Sequence, residues 1–201
     1  MVPFDDGILI GGRRGTSREF AGWAKLLAAL AWFHDTIPVL QLVYLSLGSN
    51  LGDRVANLQK AIQRLTAVGR VGMVSSFYET APLEVTDQPW FLNCVLAFET
   101  ELALRDLLYT VLAIEHAMGR QRTSDKGPRI IDIDILLYGH TVVEEPGLHV
   151  PHPAMHRRRF VLEPLAEIAP GVVHPALKKT AREMLRELPG GQSVHRIAQG
   201  G

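Results

Sequence analysis

Sulfur chemistry is nearly absent from this chain, which holds one cysteine, Cys94, among 201 residues. No intrachain disulfide can form, and nothing in the cysteine usage points to an oxidising compartment. Cys94 lies in an apolar run from Phe91 to Phe98, where a buried and inert thiol is expected. Net charge is missing as well, with 21 basic residues against 21 acidic ones. Nucleic-acid binders that work by bulk electrostatics carry a clear basic excess, so that class is disfavoured. Long apolar runs are lacking too. The longest near the start, Ala21 to Phe33, is interrupted by Lys25 and falls short of the roughly 20 residues that span a bilayer. Arg13 and Arg14 stand upstream of it, but no small-x-small cleavage site follows Phe33. Neither membrane insertion nor export is expected, and the cytoplasm is the expected location.

What is present suffices for a sizeable core: 47% of residues are apolar. The first forty residues differ in character from the rest, with Gly and Arg crowded between Gly7 and Thr16. The expected organisation is therefore an appendage over 1–40 and one domain over 41–201. From Leu42 the pattern sharpens. Leu42 to Leu47 reads as a strand, followed by a turn through Gly48, Ser49, Asn50 and Gly52. A helix over Asp53 to Thr66 carries Val55, Leu58, Ile62 and Leu65 on one face. Strands are predicted over Arg70 to Tyr78, Phe91 to Thr100 and Arg129 to Tyr138, with a helix over Leu104 to Met118 between the last two. A short hairpin over Val142 to Val150 and helices near Val161 to Ile168 and Ala176 to Leu188 complete the chain. The order strand, helix, strand, strand, helix, strand is the split β-α-β pattern of an α+β, ferredoxin-like sandwich. Two helices are expected to cover one face of the antiparallel sheet, leaving the other face free for a site.

The densest chemistry lies in Gly127-Pro-Arg-Ile-Ile-Asp-Ile-Asp-Ile-Leu-Leu. Alternation along a strand puts Asp132 and Asp134 on one face and Ile131, Ile133 and Ile135 on the other. The carboxylates are then roughly 7 Å apart, a spacing at which joint ionisation calls for a cation. Hard divalent ions held by few carboxylates plus substrate phosphates point to Mg²⁺, and a pair of ions roughly 4 Å apart clamps an in-line phosphoryl displacement. A solvated polar strand face is the plain alternative. Positive charge collects just upstream at Arg120, Arg122, Lys126 and Arg129, on a loop punctuated by Gly119 and Gly127. Guanidinium groups suit bidentate phosphate contacts, and such a loop can close over a polyphosphate. A third segment, from Val150 to Phe160, supplies His152 as a phosphate contact and Phe160 as a stacking surface for a flat heterocycle. His152 and His156 have helical metal-ligand spacing, but Pro153 intervenes and no Glu completes a zinc signature.

Taken in order, these pieces resemble the 6-hydroxymethyl-7,8-dihydropterin pyrophosphokinase family. The resemblance rests on YLSLGSNLGD (44–53), SSFYETAPL (75–83), DQPWFLN (87–93), IEHAMGRQR (114–122), GPRIIDIDILLYG (127–139) and VPHPAMHRRRFVLEPLAEIAP (150–170). It implies transfer of a diphosphate from ATP to the hydroxymethyl group of a reduced pterin, with AMP leaving. Asp132 and Asp134 match the magnesium-binding aspartates, with two ions expected, and orientation of the attacking hydroxyl by Asp132 is a secondary expectation. Arg120 and Arg122 match arginines of the mobile loop that closes on the substrates, and Arg129 matches the arginine after Gly-Pro. All three are expected to be catalytic, and Arg158 matches a basic residue near the transferred group. Nucleotide contacts are expected from Arg122, Lys126, Arg129, His152 and Arg158. Pterin contacts are expected from Asn93, Phe160 and the backbone of Thr80, Ala81 and Leu83. Glu115 also falls on a family motif, without an assigned contact. Two departures bear on the nucleotide: Lys126 replaces an aromatic before Gly-Pro-Arg, and Gly147 replaces an arginine ahead of Leu148. The implied partners are ATP and reduced pterin alone, with no nucleic acid, membrane or obligatory protein partner. Competing readings are a member that binds without catalysis and a ferredoxin-like nucleic-acid module. Retention of Asp132, Asp134, Arg120 and Arg129 argues against the first. Against the second, the strand carries aspartates where adjacent exposed aromatics are needed.

Overall fold

The protein is organised around two long antiparallel strands buried along nearly their whole length, β1 (Gln41–Ser49) and β4 (Phe91–Thr100). The computed structural model describes residues 39–83, 87–120 and 127–197. Val43, Leu45 and Leu47 of β1 join Leu92, Cys94, Leu96 and Phe98 of β4 on one face. Tyr44, Val95 and Ala97 lie on the other. On the far side of β1 runs β5 (Asp132–Tyr138), again antiparallel. Two short strands, β2 (Arg70–Val74) and β3 (Tyr78–Thr80), both pair with β4. With β8 (Val194–Arg196) beside β3, the sheet runs β5-β1-β4-β3-β8, and β2 branches from β4.

Helices α1 (Arg54–Leu65) and α2 (Leu104–Ala117) cover the first face, as the amphipathic patterns predict. Leu58, Ala61 and Leu65 of α1 and Leu107, Val111 and Ile114 of α2 complete the larger core. Each fully buried Leu or Val there contributes roughly 1.5–3 kcal/mol. Asp53 starts α1 by accepting a hydrogen bond from the Ala56 amide at 3.0 Å. The expected hairpin is present as β6 (Val143–Glu145) and β7 (Leu148–Val150), turning through Gly147 at φ 77°.

The second face of the sheet is not free. A 3₁₀ turn (Met155–Arg157), α3 (Arg159–Ile168) and α4 (Ala181–Glu187) build a second core on it. Met155, Val161, Leu162, Leu165 and Met184 pack there against Tyr44, Val95, Ala97, Leu136 and Leu137. Leu136 and Leu137 are chain neighbours yet share this face because the β1–β5 register shifts between Tyr44 and Leu45. The site is thereby confined to the end of the sheet that these helices leave uncovered.

Four boundaries also differ from expectation. The strand expected over 70–78 is split at Ser75, whose amide donates to the Val95 carbonyl (2.9 Å) and whose hydroxyl accepts from the Val95 amide (3.0 Å). A side-chain oxygen there replaces the backbone acceptor of a regular ladder. The last helix starts at Ala181 because Thr180 and Glu183 form a capping box, and Lys178 just before it has φ 56°. Gly48 and Ser49, expected in a turn, belong to β1, and β5 begins at Asp132 instead of Arg129. Strand β8 has no counterpart in the expected pattern.

Candidate active site

Register alone assembles the floor of the site. Gly48 pairs with Asp132 on one side and with Asn93 on the other, and Ser46 pairs with Asp134. These side chains share the face that the larger core does not use. Gly48 is required by close approach: a Cβ there would stand 2.7 Å from Asn93 Oδ1. Asn93 Nδ2 donates to Thr80 Oγ1 at 2.7 Å, which orients the amide over the glycine.

Charge is concentrated along Asp132. Its two oxygens are held separately, Oδ1 by Arg120 Nη1 and Oδ2 by Arg129 Nη1 at 2.6 Å. Arg120 also pairs with Glu115, a buried carboxylate of α2 that accepts from the Ile133 amide at 2.7 Å. Burial pushes the Glu115 carboxyl up, and that outweighs the opposing pull of the Ile133 amide and of Arg120. Among the described residues, Arg129 Nε is buried with no acceptor. The Arg129 and Arg158 guanidiniums lie over the rings of Phe91 and Phe160, 5.5 and 5.7 Å from the centroids.

Asp134 is held more loosely. Its Oδ2 is 3.9 Å from both His152 Nε2 and Arg158 Nη1, beyond hydrogen-bond length. Burial, and then the charge of Asp132, push its carboxyl up to about 7, against the pull of Arg158 and Arg129. His152 is shifted the opposite way, down to about 4, by burial and then by Arg158. Its Nδ1 accepts from the Ala154 amide at 3.1 Å, which assigns the proton of the neutral ring to Nε2.

Two cavities meet along this charged seam. One, of about 350 Å³, runs between α2 and the β6–β7 hairpin, with Leu108, Leu112, Pro128, Gly147, His149 and Val150 in its wall. The other, of about 330 Å³, lies over the sheet floor beside Thr80, Pro82, Leu83, Phe91, Asn93 and Phe160. Arg120, Arg129, Asp132, Asp134 and His152 line both. Two molecules seated in the two cavities would therefore confront each other across two carboxylates and two guanidiniums.

A family model described as 7,8-dihydro-6-hydroxymethylpterin-pyrophosphokinase (HPPK) matches residues 44–170. The chain belongs to this family. It is 46% identical over 151 residues to the 2-amino-4-hydroxy-6-hydroxymethyldihydropteridine pyrophosphokinase of Methylorubrum extorquens, covering 74% of this chain and 94% of that one. The Aquifex aeolicus protein of the same name is 41% identical over 145 residues, covering 72% and 91%. Folic acid synthesis protein FOL1 of Dictyostelium discoideum is 41% identical over 156 residues, 78% of this chain but 24% of that protein. The chain thus spans about a quarter of that longer relative. Among solved structures, a wild-type Plasmodium falciparum HPPK-DHPS with pteroate has the same fold, with a TM-score of 0.62 at 15% identity over 74% of this chain and 44% of that one.

Within this pyrophosphokinase fold, most of the residues singled out in the sequence converge. Thr80, Ala81, Leu83, Asn93, Arg158 and Phe160 line the second cavity, and Arg120, Arg129, Asp132, Asp134 and His152 form the seam. The Ala81 amide is already engaged, donating to the Ser193 carbonyl at 3.3 Å. Arg122, Lys126 and the segment 1–38 lie outside the described residues. Sequence reasoning missed Phe91, whose two-residue spacing from Asn93 on one strand was the available signal. It also missed Asn50, read as a turn residue and in fact 2% exposed. Asn50 Nδ2 donates to Gln88 Oε1 and to the Pro89 carbonyl, both at 3.1 Å.

Among the described residues, no group of three or more His, Cys, Asp or Glu side chains stands ready to hold a metal. Two carboxylates on one strand suit an ion that keeps its waters and takes its remaining ligands from substrate phosphates, as Mg²⁺ does. Burial, and then Asp132, raise the Asp134 carboxyl, and a bound cation would offset both.

Proposed function

We propose that residues 41–201 transfer a diphosphate from ATP to the hydroxymethyl group of 6-hydroxymethyl-7,8-dihydropterin, releasing AMP, in folate synthesis. The observation that carries this reading is the seam: two cavities of similar size share Arg120, Arg129, Asp132, Asp134 and His152. The cavity against α2 takes the nucleotide, with Leu108 and Leu112 as its apolar wall, and Arg122 and Lys126 as further contacts from the loop before Gly127. The floor cavity takes the pterin. Phe91 and Phe160 offer aromatic surface to its ring, Asn93 Oδ1 accepts from its amide edge, and backbone groups of Thr80, Ala81 and Leu83 complete the rim.

The pterin hydroxyl oxygen then attacks the β-phosphorus in line, the bond from that phosphorus to the oxygen carried off by AMP breaks, and the hydroxyl proton is lost to solvent. Asp132 orients the hydroxyl, while Arg120, Arg129 and Arg158 neutralise the charge spreading over the phosphoryl oxygens. Neutral His152 donates from Nε2 to a phosphate oxygen. Asp132 and Asp134 would hold Mg²⁺, with two ions expected, and the bound metal would supply charge neutralisation at the transferred group. Positioning carries most of the rate, since little covalent work falls to the protein. Among the described residues no helix is long and apolar enough to cross a membrane. The cytoplasm is the expected location for an ATP-using enzyme of this kind, and residues 1–40 are expected to be an appendage of unknown role.

Binding tests the two-cavity arrangement before any turnover. With Mg²⁺ and α,β-methylene-ATP at saturation, the protein is expected to bind 6-hydroxymethyl-7,8-dihydropterin as a ternary complex, read from pterin fluorescence. Mutual exclusion of the two ligands would sink it.

A further inference from the structure

The last described residues, 192–197, lie beyond the stretch that the family model matches, yet they touch both sides of the floor cavity. On one side is the start of α3. Arg158 occupies the cap position of that helix and provides no side-chain cap. Gln192 caps the helix instead, since its Oε1 accepts from the Arg159 amide at 2.7 Å and its Nε2 donates to the Arg157 carbonyl at 3.3 Å. A helix-start amide is thus satisfied by a side chain 33 residues away, with Arg158 and Phe160 immediately beside the two bonds. On the other side, β8 pairs with β3 from Tyr78↔Arg196 to Thr80↔Val194, and the Ser193 carbonyl accepts from the Ala81 amide. The ring of His195 stacks on Trp90, the residue before Phe91, at 5.9 Å and 9°.

We propose that Gln192 is a positioning residue for the pterin half of the reaction. It fixes the start of α3, and with it Arg158 and Phe160, relative to the Thr80–Ala81 wall that β8 holds. This rests on the reading of the floor cavity as the pterin site. The two sides of that cavity come from segments about eighty residues apart in sequence, joined here through a terminal strand. A ring stacked on Phe160 senses small displacements of the helix start, because stacking and in-line attack both depend on sub-ångström placement.

The test uses the full chain and two readouts, pterin fluorescence for the pterin Kd and calorimetric titration for Mg²⁺–α,β-methylene-ATP. Gln192→Ala is expected to weaken pterin binding about tenfold, the effect of losing one to two hydrogen bonds, and to weaken nucleotide binding by less than about threefold, since Arg158 is the one proposed nucleotide contact at this helix start. Gln192→Glu keeps the acceptor for the Arg159 amide and is expected to recover most of the loss, to within about threefold of the parent. In a Phe160→Ala background, adding Gln192→Ala is expected to change pterin affinity by less than about twofold, since Gln192 acts through that ring. Unchanged pterin binding in Gln192→Ala would overturn the proposal. So would equal losses for both ligands, failure of Glu to recover binding, or a full additional loss in the Phe160→Ala background. If Phe160→Ala itself binds pterin normally, the pterin reading of the cavity fails first, and the positioning role falls with it.

Discussion

Asn50 and Arg129 hold each other by two hydrogen bonds: the Asn50 amide donates to the Arg129 carbonyl (3.1 Å), and the Arg129 amide donates to Asn50 Oδ1 (2.7 Å). Because Asn50 Nδ2 also holds Gln88 and Pro89, one buried side chain ties the end of β1 to both chain segments that enter the site. Asn50→Ala leaves three partly buried hydrogen-bonding partners unsatisfied and is expected to cost about 2–3 kcal/mol. For a chain of this size that lowers Tm by roughly 4–12 °C. A variant that melts with the parent would show that water replaces these bonds at no cost.

Gly48→Ala tests the floor. The new Cβ meets Asn93 Oδ1 at 2.7 Å, and the amide can yield only by loosening its bond to Thr80. Pterin affinity is expected to fall by about tenfold or more, with nucleotide affinity nearly unchanged and Tm lowered by about 2–4 °C for the loosened bond. Equal loss for both ligands would mean that the glycine serves the sheet and not the cavity.

Asp134 carries a carboxyl raised from 3.8 to about 7, so the fold disfavours its ionised form. Its contribution to stability is full below the unfolded value and is lost as pH rises through the folded one. Asp134→Asn is therefore expected to melt higher than the parent at pH 8 in the presence of EDTA, with the gap closing toward pH 4. The same substitution is expected to remove magnesium-dependent turnover. Lower stability of the Asn variant at pH 8 would mean that burial and Asp132 do not strain this carboxylate.

For His152 the sign reverses. Its folded value of about 4 lies below the ordinary 6.5, so between those limits the unfolded chain takes up a proton that the fold refuses. Stability is full above 6.5 and declines as pH falls toward 4. His156 and His174 are shifted in the same direction, so His152→Gln is expected to make the acid decline shallower without abolishing it. Melting curves at pH 7.5 and 5 check this, and an identical decline in the variant would clear His152 of any part in it.

Much of the seam was legible because it rests on local pattern. The alternation of Ile and Asp from Ile131 to Ile135 placed both carboxylates on one face, and the register found in β5 agrees. What escaped depends on pairing between distant segments. Ser75 breaks a predicted strand only because the Val95 amide and carbonyl stand opposite it. Tyr44, Val95 and Ala97 carried a faint sign that the second face is also buried, but nothing local names α3 as the cover. Asn50 reads as a turn residue and Gln192 lies past the last expected helix, and their weight comes from partners 33 to 79 positions away.

Product analysis of Mg²⁺-ATP turnover, with and without 6-hydroxymethyl-7,8-dihydropterin, decides whether the seam transfers a diphosphate. Transfer across it predicts AMP, formed one-for-one with the pterin diphosphate and only when pterin is present. ADP as the product, or AMP released at the same rate without pterin, would contradict it.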